Sequence, residues 1–195
     1  MTEEAVRDRI VDAADDLYYA RGITAVGMDE IRDTAGVSLR KLYLEFPSKD
    51  DLVLAVLDRR HRMWTDGVAG RVATVDDPEG KLLAIYDYLA DWFADDSFRG
   101  CGFINAFGEL GGGHPDVVAA ARTHKQSFQE YVARLVEEAG ASPSLAPQLA
   151  ILAEGAQTTA AIAGTAEAAE QARDAARILV RAARSADRDG GADRG

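Results

Sequence analysis

Apolar residues recur at helical spacing along the whole chain, and no stretch alternates apolar with polar residues as a half-buried strand would. That property restricts the chain to all-α architectures, because a sheet requires period-two patterning. The first helix is predicted over residues 3–20, where Val6, Ile10, Ala13, Ala14 and Leu17 form one stripe and Glu3 and Glu4 suit its N-terminal dipole. Gly22 ends it. A second, short helix is expected over residues 28–35, stopped by Gly36, and a third over 38–44 with Ser38 as its N-cap. Ser48 and Asp51 make an S-x-x-D start signal for a long fourth helix. Five more are expected at about 78–95, 102–111, 115–139, 146–163 and 166–186, with Pro78 and Pro115 at first-turn positions and Gly140 and Gly164 as stops. The expectation is therefore about nine helices.

Three short helices with a turn at Gly36 describe a helix-turn-helix, a device that lays its second helix in the DNA major groove. Charge works against this at first sight: the chain carries a net −11, and residues 1–50 hold seven basic against eleven acidic side chains. Placement answers the objection. Seven of those acids, Glu3, Glu4, Asp8, Asp12, Asp15, Asp16 and Asp29, lie on the first helix or at the start of the second, whereas residues 38–49 have three basic groups and one acid, and the local field decides which face meets phosphate.

Val37, Leu42 and Phe46 are spaced to face the other two helices, which turns Leu39, Arg40, Lys41, Tyr43 and Leu44 outward. Arg40 has the fork that fits guanine O6 and N7, Lys41 suits a base or a phosphate, and Leu39 or Leu44 a thymine methyl. Ser38, Tyr43 and Lys49 read as backbone contacts. The run from Gly36 to Leu52, with its G-V-S opening, Leu42-Tyr43 pair, Phe46 and S-K-acid-x-Leu segment, closely resembles the signature of tetracycline-repressor (TetR) type regulators. Gly22, Ile31 and Ala35 fall where that pattern also wants them. Arg40 and Lys41 stand where many members have Gly-Thr, so their base contacts would be this chain's own.

The resemblance implies a helix-turn-helix DNA-binding domain over residues 1–47, a helical effector-binding and dimerisation domain over 48–186, and a cytoplasmic regulator, in most members a repressor released by a small molecule. The tail, 187–195, is Asp, Arg and Gly without an apolar anchor and is expected to be disordered. The partners implied are a palindromic double-stranded operator and a second copy of the chain. The alanine-rich helices at 146–163 and 166–186 suit close helix–helix contact and are the expected dimer surface. The resemblance also places a ligand pocket between residues 86 and 114. Its candidate lining is Tyr86, Trp92, Phe93, Phe103, Asn105, Phe107 and Glu109, mostly apolar with few polar anchors. Asn105 and Glu109, four apart on one helix face, are the telling polar pair, since a buried Glu requires a partner or a cation.

Other chemistries find no support. His61, His114, His124 and Cys101 lack metal-ligand spacing, and there is no nucleophile elbow, P-loop or dinucleotide fingerprint, so no metal, cofactor or enzymatic role is expected. No apolar run reaches the roughly 20 residues that span a bilayer, and the single cysteine suits a reducing compartment.

Overall fold

The computed structural model describes residues 3–192, with side chains as far as residue 183. Among the described residues there are nine helices and no strand: α1 (Glu3–Arg21), α2 (Met28–Ala35), α3 (Leu39–Glu45), α4 (Lys49–Val72), α5 (Pro78–Phe93), α6 (Gly102–Leu110), α7 (Pro115–Glu138), α8 (Leu145–Ala163) and α9 (Glu167–Ala192). The boundaries follow local chemistry. Asp77 caps α5 by accepting the Gly80 amide at 2.7 Å, with Pro78 in the first turn. Ser48 and Asp51 satisfy each other's amides at 2.9 and 3.1 Å ahead of α4. Past the expected stop near residue 186, α9 runs on to Ala192, so the expected tail begins inside a helix and its residues 193–195 lie outside the described ones.

Packing groups the chain differently from the division expected at residue 47. One compact unit holds the residues up to Met63 together with Cys101–His124; the other holds Trp64–Gly100 and the residues from Lys125 on. The first unit buries Ile10 and Ala14 of α1, Ile31 of α2, Leu42 of α3 and Leu52 of α4 with Phe103 and Ala106 of α6 and Val117 of α7. The three N-terminal helices bury too little apolar surface by themselves, and α6 with the start of α7 completes their core. The ion pair between Asp15 of α1 and Arg60 of α4 belongs to the same unit.

In the second unit, α5 supplies Leu82, Ile85, Tyr86 and Leu89 to a core shared with Val132, Leu149, Ala153, Ala169, Ala176 and Val180. The buried alanines of α8 and α9 let these helices lie close together and against α5. The Tyr86 hydroxyl donates to the Leu149 carbonyl at 2.8 Å, which satisfies a phenol that the core would otherwise leave unpaired.

Candidate nucleic-acid interface

Gly36 makes the turn between α2 and α3. Its φ of 62° lies in the left-handed region, and its amide with that of Val37 closes on the carbonyls of Asp33 and Arg32 at 3.2 Å each. Ser38 then caps α3, its Oγ accepting the Lys41 amide at 3.2 Å. Leu42 and Phe46 are essentially fully buried and Val37 half-buried, so this two-turn helix is held by its neighbours rather than by its own hydrogen bonds. Arg7 of α1 adds a support that helical spacing does not reveal. Its guanidinium lies 4.2 Å from the centroid of the Phe46 ring and donates to the Glu45 carbonyl at 3.1 Å, placing positive charge at the C-terminus of α3.

The opposite face of α3 is open. Leu39, Arg40, Tyr43 and Leu44 are exposed, Leu44 to 70%. Lys41 is half-buried and pairs with Glu45 at 2.8 Å; that hydrogen bond raises its ammonium above the ordinary value. A fork-shaped donor, a phenol and two apolar side chains thus share one convex surface, the chemistry that base edges and phosphates accept.

Lys49, at the start of α4, is half-buried. Its Nζ donates to the carbonyls of Ile23 and Val26, both at 2.6 Å, and partial burial lowers its pKa although Glu109 and Asp50 pull it upward. Glu109 approaches the same loop from α6. Its carboxylate accepts the Ile23 amide at 3.1 Å, the Thr24 amide at 2.9 Å and the Thr24 hydroxyl at 3.0 Å. The side chain is exposed rather than buried, and its partners are two loop amides and the Thr24 hydroxyl.

The other residues expected to line a ligand pocket divide between the two units. In the second unit, Tyr86 is core, and Trp92 and Phe93 join Phe98 in an aromatic cluster with centroids 4.7–6.0 Å apart. In the first unit, Phe103 stacks at 3.8 Å on the buried ring of His124, while Asn105 and Phe107 are exposed on α6. Spacing also hid a contact between His61 and His124, which meet Nδ1 to Nδ1 at 3.0 Å. Among the described residues no three His, Cys, Asp or Glu side chains gather as a metal site, and no helix is long and apolar enough to cross a membrane.

Comparison with known proteins agrees with this geometry. Residues 10–56 match the model for bacterial regulatory proteins of the tetR family, and residues 78–176 match the tetracyclin repressor-like C-terminal domain. The chain is 40% identical over 91 residues to the HTH-type transcriptional activator FasR of Mycolicibacterium smegmatis, covering 47% of this chain and 42% of that protein. It is 31% identical over 120 residues to an uncharacterized HTH-type transcriptional regulator of Mycobacterium tuberculosis, covering 60% and 59%. It thus spans between about two fifths and three fifths of the length of these curated relatives. A TetR-family transcriptional regulator from Streptomyces coelicolor superposes with a TM-score of 0.85 at 29% identity, over 91% of this chain and 95% of that one. The reduced form of E. coli NemR shares the fold, with a TM-score of 0.77 at 21% identity over 88% and 95%. With both halves of its fold matched by family models, the second of which alone covers half of the sequence, the chain belongs to the TetR family of bacterial regulatory proteins.

Proposed function

We propose that this protein is a sequence-specific transcriptional regulator that binds a palindromic double-stranded operator as a homodimer, represses from it, and leaves it when a small-molecule effector binds. The observation that carries the reading is the outward face of α3, where Leu39, Arg40, Tyr43 and Leu44 stand exposed on a helix anchored by Leu42 and Phe46. Dimerisation is assigned to α8 and α9. On α8 an uncharged exposed stripe runs through Ile151, Gly155, Thr158 and Ile162, and Ile151 and Ile162 are 69% and 83% exposed. A two-fold axis there would set two copies of α3 into major grooves one turn, ~34 Å, or more apart. The effector is assigned to the second unit, where the aromatic cluster around Trp92 and Phe93 suits an apolar, ring-bearing molecule.

The test is binding to an operator selected from random DNA. Arg40→Ala and Lys41→Ala are each expected to weaken specific binding by about 1–3 kcal/mol where the side chain reads a base edge. Neutrality of both would refute the assignment of α3. Transcription from a promoter bearing that operator should fall when the protein is added. A rise would favour the second reading, activation, which the FasR relative suggests because it is named as an activator.

A further inference from the structure

The loop between α1 and α2 carries backbone donors and acceptors that neither helix can satisfy. Two side chains from distant parts of the chain take them up. Glu109 accepts the amides of Ile23 and Thr24, and Lys49 donates to the carbonyls of Ile23 and Val26. Opposite charges therefore grip one loop from two helices, α6 and the start of α4. Gly22 fits this arrangement in two ways: its φ is 89°, and a Cβ there would stand 3.1 Å from the Glu109 carboxylate oxygens. Gly27, which precedes α2, provides no side-chain cap, so the hold on the Val26 carbonyl fixes the entry of α2, onto which the Gly36 turn and α3 follow directly.

We propose that Lys49 and Glu109 are positioning residues that clamp residues 22–26 and thereby set the orientation of the reading helix. The inference rests on the DNA-binding reading above. Two of the three ammonium protons of Lys49 are already committed to carbonyls at 2.6 Å. The third proton stays free for a phosphate, so the clamp adds to any contact that Lys49 makes with the DNA backbone.

Two measurements separate the clamp from simpler electrostatics. A phosphate ligand contributes to the salt dependence of binding, roughly 0.9 in the slope of log K against log salt for each phosphate neutralised. Lys49→Met should weaken operator binding about tenfold even when extrapolated to about 1 M salt, where counterion release no longer contributes. A variant that differs from the wild type in slope alone, with equal affinity extrapolated to about 1 M salt, would show that Lys49 acts only as a phosphate ligand and would overturn the proposal. Glu109→Gln gives a test of sign. Removing a negative charge from a DNA-binding protein should strengthen binding to a polyanion, whereas loosening the clamp should weaken it, again by about tenfold. Unchanged or tighter binding by that variant would overturn the clamp. The double variant should lose little more than either single one, because both act on one loop. Glu109 is exposed, so its variant is expected to stay folded, and circular dichroism before each titration confirms the folded fraction. If the wild-type protein binds no duplex DNA at low salt, the DNA-binding reading itself fails, a result distinct from either arm.

Discussion

Glu109 shows how one exposed side chain ties the fold to pH. Partial burial pushes its carboxyl upward, but the amides of Thr24 and Ile23, the Thr24 hydroxyl and the charge of Lys49 together bring it below the ordinary 4.5. A carboxyl depressed on folding adds stability that is complete above its unfolded pKa and is lost as pH falls through its folded pKa. Stability should therefore decline below about pH 4.5, and Glu109→Gln should flatten that part of the curve while lowering the plateau at neutral pH. Urea unfolding at intervals between about pH 3 and about pH 6 measures both effects. Parallel curves for variant and wild type would exclude this carboxylate as their source. At the same scale, Ser38 is committed to the Lys41 amide, so its value to DNA binding lies first in starting α3 where it does.

Between elements, the pairing of α1 with α4 depends on a charge placed in the core. Asp15 is 6% exposed and is met by Arg60, whose guanidinium also lies 3.6 Å from the centroid of the Tyr19 ring. Burial raises the Asp15 carboxyl and Arg60 opposes that rise. Arg60→Met removes the guanidinium that meets this carboxylate and should cost about 3–5 kcal/mol, with part of the loss recovered when Asp15→Asn is added. Equal stability of single and double variants in urea titrations would mean that Asp15 carries no uncompensated charge. Such pairings mark where sequence reading stops. Helix ends were legible because Ser38, Gly36, Asp77 with Pro78, and Gly164 act within a few residues of themselves. The inward and outward faces of α3 were legible for the same reason. Contacts between Arg7 and Glu45, Glu109 and Thr24, or His61 and His124 join residues 38 to 85 positions apart, and local periodicity holds no information about them. Helical spacing places Glu109 with the ligand groups and Lys49 with the phosphate contacts, and it cannot show that both also hold the loop between α1 and α2.

For the molecule as a whole, charge limits how two copies can meet. Each chain carries a net −11, so association of two chains must overcome mutual repulsion unless the facing surfaces are uncharged. The α8 stripe answers that condition: Ile151, Gly155, Thr158 and Ile162 recur at three- to four-residue steps, while Glu154, off the stripe, is paired with Lys125. A face lying across a two-fold axis meets its own copy, so a charge introduced there is set against an identical charge. Ile151→Arg with Ile162→Arg should therefore abolish the dimer. It should leave the isolated chain nearly as stable as before, within about 0.5 kcal/mol per site, because both side chains stand in solvent when the chain is alone. Sedimentation should show the variant as a monomer with unchanged helical circular dichroism. Its operator affinity should fall steeply, since a single α3 contacts half of a palindrome and loses the effective concentration that the second copy provides. A variant that still sediments as a dimer would place the two-fold axis on another face and remove α8 from the assembly.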